Sequence, residues 1–152
     1  MTWADDDQAA MRDALALAAE ASEAGEIPVG AVVVRGGEVL GRGRNRSVGD
    51  HDPSGHAEIV ALRDAAQAVG NHRLPQATVY VTLEPCPMCF AALAQARVGR
   101  VVFAAYDEKA GAAGSAIDLT ESKALNHRFE INGGLLADEA GALLEQFFQE
   151  RR

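Results

Sequence analysis

Cysteine is scarce in this chain. Only Cys86 and Cys89 occur among 152 residues, and they form a single Cys-x-x-Cys, a metal or redox motif before it is a structural disulfide. Long apolar runs are missing: none approaches the roughly 20 residues that span a bilayer, so no membrane partner is expected. The amino terminus lacks the positive charge of a secretory leader and carries Asp5-Asp6-Asp7 instead, which makes the cytoplasm the expected location. Basic residues are not in excess either. Lys and Arg total 14 against 22 acids, a net charge of −8, which weighs against strong nonspecific affinity for a polyanion. There is no internal repeat, linker or low-complexity tract. A chain of this length that is 48% hydrophobic and 24% charged reads as one globular domain over 1–152.

The acidity is uneven. Seven acids against Arg12 put residues 1–26 at −6, so the other 126 carry only −2. Arg35, Arg42, Arg44 and Arg46 cluster, and Arg151 and Arg152 end the chain, so local positive surface is possible. The arginine cluster reads equally as a solvated strand face.

Periodicity predicts a helix over 6–24, with Met11, Leu15, Ala18 and Ala21 inward, the Asp run capping its start and Gly25 ending it. Val29 to Val34 reads as a buried strand, Gly36-Gly37 as a turn, and Val39 to Asn45 as the partner strand. A turn-rich loop from Arg46 to Gly55 leads to a helix from His56 to about Val69, with Ile59, Leu62, Ala66 and Val69 on one face. Further strands are expected at 77–83, 101–105 and near 128–131, and helices at 86–95 and 138–149; 107–125 is ambiguous. Alternating strands and helices imply an α/β fold, a largely parallel sheet covered on both faces.

Chemistry concentrates in His56-Ala57-Glu58, Glu84-Pro85-Cys86 and Cys89, each at a predicted helix start. Cys86 and Cys89, three apart, share one side of a first helical turn, where the helix dipole favours the thiolates that zinc needs. His56 reaches the same point if the two helix ends lie side by side, as adjacent parallel strands would place them. Three protein ligands leave zinc an open fourth position, the mark of a catalytic site, where a bound water is acidified toward neutrality. Glu58, two residues past His56, suits a proton shuttle.

His-x-Glu followed after a 30-residue interval by Pro-Cys-x-x-Cys resembles the signature of the cytidine/deoxycytidylate deaminase superfamily. The likeness extends over nearly the whole chain to the bacterial tRNA adenosine deaminases. It is carried by Glu26 to Val32, Asn45-Arg46, His51 to Pro53, His56 to Leu62, Tyr80 to Cys89, Val98 to Phe103, Gly111 to Ser115, Asn126 to Arg128 and Leu135 to Arg152. The resemblance implies a three-layer α/β/α fold around a five-stranded mixed sheet. It implies one zinc per subunit on His56, Cys86 and Cys89, with Glu58 as shuttle and no organic cofactor. It implies zinc-bound hydroxide attacking C6 of a flipped adenosine in a tRNA anticodon loop, giving inosine at the wobble position, with arginine tRNA as the expected substrate. Asn45 would hydrogen-bond the flipped nucleotide, with Val29 and the Ala57 backbone shaping its pocket. Asp107, His127 and Phe148 would face RNA, and the enzyme would be a homodimer. Tyr106, Arg44 and Phe90 depart from the residues usual at their positions, Arg, Trp and a small side chain respectively.

Other readings stand beside these. The cysteines also suit a redox pair, or a structural zinc completed by His51. Glu58 suits a helix end, Asn45 a turn, and Asp107 a helix cap. His51, His72 and His127 suit ordinary surface or hydrogen-bonded positions. The same zinc motif would serve a deaminase of free guanine, cytosine or a nucleoside, and a zinc module without catalysis that binds RNA or protein.

Overall fold

The computed structural model describes residues 2–151; Arg152, one of the two terminal arginines, lies outside them. The order is α1 (Asp5–Glu23), β1 (Gly30–Arg35), β2 (Glu38–Arg44), α2 (Ala57–Val69), β3 (Thr78–Leu83), α3 (Pro87–Gln95), β4 (Arg100–Ala105), β5 (Glu130–Gly133) and α4 (Ala137–Gln149). One sheet holds all five strands in the order β2-β1-β3-β4-β5. Period-two alternation sorts its side chains. Ala31, Val33, Val79, Val81, Val101 and Phe103 pack with α2 and α3 on one face. Val32, Tyr80, Val102 and Ala104 pack with α1 and the start of α4 on the other. This is the expected three-layer α/β/α arrangement. Among the described residues no helix is long and apolar enough to cross a membrane.

The sheet is mixed, as the resemblance implied, rather than largely parallel, as the alternation of strands and helices implied. β1 runs antiparallel to both β2 and β3, whereas β3-β4 and β4-β5 are parallel. β2 and β3 therefore point the same way with β1 between them, and the helices that follow them, α2 and α3, both begin at one end of the sheet. That end carries the site. The two helix starts are side by side as expected, but a strand apart rather than on adjacent parallel strands.

Three further expectations are corrected by packing. Asp5, Asp6 and Asp7 fall in the first turn of α1 behind Ala4, which makes no side-chain cap bond. Asp7 turns inward, where its Oδ1 accepts from Tyr80 Oη at 2.6 Å and Arg100 Nη1 at 2.9 Å. In α1 the inward row is Met11, Ala14, Ala18 and Ala21, and Leu15 is half-buried. In α2 it is Ala57, Ala61 and Ala65 that lie flat on the sheet, while Ile59, Ala66 and Val69 are only half-buried. The reason is Gly41 and Gly43 of β2: a Cβ on Gly43 would sit 2.5 Å from Ala57 O, so helix and strand meet backbone to backbone. The ambiguous stretch after β4 forms turns and one isolated bridge, Ala113 with Asp118, and β5 begins two residues later than expected.

Candidate metal centre and its base-sized cavity

His56 and Cys86 are the N-caps of α2 and α3, both in extended conformation. Neither side chain caps its own helix. Their carbonyls accept the first helical bonds, from Val60 N at 3.0 Å and Phe90 N at 2.8 Å, which leaves the imidazole and thiol free to project beyond the helix ends. Pro87, with no N–H to satisfy, opens α3. Cys89, one turn into α3, is fully buried behind Cys86.

The three side chains converge. His56 Nδ1 lies 3.6 Å from Cys86 Sγ and 3.4 Å from Cys89 Sγ, and the three ligand atoms all lie within 4.8 Å of one another. A tetrahedral zinc, with Zn–N of about 2.0–2.1 Å and Zn–S of about 2.3 Å, sets nitrogen and sulfur ligands about 3.6 Å apart, so the donor set fits that ion. With only protons to share, Cys86 is the thiolate. The hydrogen bond from Cys89 first, and then the one from His56, brings it down to about 4. The Cys89 thiol is pushed up by sharing that bond and by burial, and the bond to Cys86 raises His56. A divalent cation replacing those protons holds both sulfurs ionised. His51, the alternative fourth ligand, is exposed and stands outside the trio.

Glu58, in the first turn of α2, is 4% exposed and faces the same centre. Burial, and next among the groups that raise it the charge of Cys86, pushes its carboxyl up to about 7. A carboxyl there exchanges a proton near neutral pH.

His56, Cys86 and Glu58 line a cavity of about 180 Å³ together with Val29, Asn45 and Asp107. The volume is below the roughly 300–1,000 Å³ of pockets for drug-sized ligands, and suits one planar base. Asn45 Oδ1 accepts from Ala57 N at 2.9 Å. Because that partner is a donor, the atom facing it is the oxygen, and the amide NH₂ is left for the cavity. Ala57 itself is buried against β2, its N–H used by Asn45. Asp107 caps a turn rather than a helix, its Oδ1 accepting from Lys109 N and Ala110 N at 3.1 Å each, and it also lines the cavity.

The remaining sites lie apart. His127 Nε2 sits 2.7 Å from Val98 O, just ahead of β4 and at the end of the sheet opposite the metal centre. Phe148 is exposed on α4 and lines a neighbouring cavity. Phe90 is buried against the Phe129 ring, centroids 4.9 Å apart, so its bulk is taken up in the core, and Arg44 bonds the Asn45 carbonyl through Nη1 at 3.1 Å.

Two acids to which the sequence assigned no role of their own hold loops around the site, and Glu84 also lines the cavity. Glu84 is 2% exposed; its carboxylate accepts from the N–H groups of Asp107, Ala113 and Ser115 and from the Ser115 hydroxyl. Glu26 is 3% exposed and accepts from Val48 N at 3.1 Å and Gly49 N at 2.7 Å. The only available signal was an acid inside an otherwise apolar stretch.

The chain matches the family model of the MafB19-like deaminases over residues 5–152. It is 47% identical over 147 residues to a tRNA-specific adenosine deaminase of Haemophilus influenzae, covering 96% of this chain and 85% of that protein. It is also similar to a solved structure from work on A-to-I editing by tRNA:A34 deaminases at the wobble position of transfer RNA, with a TM-score of 0.88 and 40% identity over 90% of this chain and 99% of that one. Guanine deaminase from Nitrosomonas europaea is more distant in sequence, at 28% identity and a TM-score of 0.80, over 97% and 86% of the two chains. A metal-ligand trio, a buried acid beside it and these likenesses agree: the chain belongs to the MafB19-like deaminases and, within them, to the family of the tRNA-specific adenosine deaminases.

Proposed function

We propose that the chain deaminates adenosine hydrolytically to inosine at the wobble position of tRNA, with arginine tRNA as a substrate. The observation that carries this is Glu58, a buried carboxyl titrating near neutrality against a three-donor metal site on the wall of a one-base cavity. His56, Cys86 and Cys89 would hold zinc, which when bound would supply an acidified water as nucleophile. Glu58 takes the proton of that water and passes it to the ring nitrogen beside the attacked carbon. It then helps protonate the amino group, which leaves as ammonia, so adenosine and water give inosine and ammonia. Asn45 donates its free NH₂ to the flipped nucleotide, and Val29 packs against the base. The target lies in a single-stranded loop, so no duplex need open.

A homodimer in the cytoplasm is part of the proposal. A shallow apolar groove between α2 and α3, about 410 Å³ and lined by Ile59, Leu62, Ala66 and Ala92, supports a face for a second copy. A reducing compartment suits an unpaired Cys86 and Cys89. Light scattering of the purified protein tests the dimer.

Deamination of free guanine is the second reading, favoured by the Nitrosomonas structure. The zinc-loaded protein is to be incubated with arginine tRNA, adenine and guanine, and the tRNA sequenced. Inosine, read as guanosine at the wobble position, is expected. Xanthine from guanine with no inosine in any tRNA overturns the proposal.

A further inference from the structure

A second cavity of about 580 Å³ lies beside the first and shares Ile27, Leu83 and Asp107 with it, so the two adjoin. Its outer walls are aromatic. Tyr106 is 59% exposed and Phe148 46%, both among the largest apolar surfaces the protein leaves in solvent. Neither ring is loose: Tyr106 stands edge-on to Phe103, centroids 5.0 Å apart, and Phe148 stands edge-on to Phe147 at 5.4 Å. Phe103 and Phe147 are themselves buried, so each exposed ring is braced by a core ring. The charges nearby do not favour phosphate: Asp107 and Glu108 flank the cavity against a single cation, Lys109.

We infer that Tyr106, with Phe148 lining the same cavity, is a stacking platform for the base next to the one deaminated, an inference that rests on the proposed action on an RNA loop. A base held in the inner cavity has its neighbours on the same strand within one nucleotide's reach of the mouth. Because the two cavities adjoin, a neighbour comes within reach of the aromatic walls. Braced rings in a pocket short of cations hold a base by its face rather than a phosphate by charge. In a protein of net charge −8 this supplies affinity that electrostatic attraction does not.

The test uses zinc-loaded wild type, Tyr106→Phe and Tyr106→Ala with an anticodon stem-loop. Further stem-loops carry an abasic site on either side of the target adenosine. Binding and inosine yield are both measured. Tyr106→Ala should weaken binding and raise KM by about 5- to 150-fold, the range of one aromatic–base stack, with kcat and melting temperature unchanged. Tyr106→Phe should behave as wild type. One abasic stem-loop should cost the wild type the same factor and cost Tyr106→Ala nothing further. The platform is overturned if both proteins are equally sensitive to both abasic stem-loops, or if kcat falls while KM stays. Failure of the underlying reading looks different: the wild type binds in a Tyr106-dependent way yet forms no inosine.

Discussion

On the proposed reading, Asn45 uses one amide for two tasks. Its oxygen accepts from Ala57 N in the first turn of α2, next to the ligand His56, and its NH₂ faces the cavity. Substitutions separate the tasks. Asn45→Asp keeps the acceptor and removes the donor, so stability and zinc content should hold while kcat/KM falls about 10- to 100-fold, the cost of an unmade 1.5–3 kcal/mol hydrogen bond. Asn45→Ala loses both, and should also lower stability by about 1 kcal/mol, as other lost helix-start caps do. Thermal melts, zinc assays and kinetics on the two variants check this; equal activity in Asn45→Asp and wild type sinks the donor role. Glu58 gives a sharper signature. Its folded pKa of about 7 lies above the ordinary 4.5, so the folded state holds the extra proton. That contribution to stability is complete below pH 4.5 and is lost as pH rises through about 7. Stripped of metal, the wild type should therefore lose stability relative to Glu58→Gln over that interval, as urea melts at several pH values will show. With zinc present, Glu58→Gln should cost about 10²–10⁴ in rate and leave metal content intact.

At the scale of elements, the metal centre depends on two close contacts. One is α2 lying on Gly41 and Gly43; Gly43→Ala places a Cβ 2.5 Å from Ala57 O and Ala61 N, and the start of α2 must lift. Because His56 is the N-cap of that helix, the variant should bind zinc more weakly as well as melt earlier. A melt shifted with zinc affinity unchanged would mean the helix tilts about its start. The other is the Glu84 carboxylate, which gathers the loop carrying Asp107. Glu84→Ala leaves the N–H groups of Asp107, Ala113 and Ser115 without their acceptor, at about 1–3 kcal/mol for each that water does not reach. Amide exchange in 107–115 should quicken while α2 stays protected. These contacts also mark where the sequence stopped being legible. The candidate trio was readable because Cys86 and Cys89 fall three apart in one helical turn, where spacing fixes what shares a side, and because His56 and Cys86 each open a helix, so that two helix starts side by side bring the three together. The mixed sheet followed from the resemblance, not from the pattern: the Gly36-Gly37 turn marks the reversal between β1 and β2, but the antiparallel pairing of β1 with β3 leaves no local trace. The buried face of α2 was not legible either, since its alanines look unremarkable until Gly41 and Gly43 are opposite them. The role of Glu84 was not legible because its partners are backbone N–H groups 23 to 31 residues away, which no side-chain pattern reports.

For the whole molecule, the decisive quantity is charge. The −8 is concentrated in and just beyond α1, while the mouth of the site has few free cations. Arg44 and Arg46 flank Asn45, Lys109 lines the outer cavity, and Arg151 follows Phe148. Arg46 pairs with Asp50 at 3.0 Å and Arg151 with Glu150 at 3.8 Å, so two of these four already have acids beside them. Binding to a single strand falls with salt as roughly 0.7 of a power for each phosphate neutralised, so four contacts give a log–log slope of about −3 at the steepest. Raising salt from 50 to 200 mM should then weaken anticodon stem-loop binding by no more than about 50-fold. Titrations of labelled stem-loop at four salt concentrations measure the slope directly. A slope steeper than about −5 would require cations that the described surface of one chain does not present near the site, and would move the electrostatic contribution to a second subunit. A slope shallower than about −1 would leave the enclosed base and the aromatic walls as nearly the whole source of affinity, in a protein whose overall field repels its substrate.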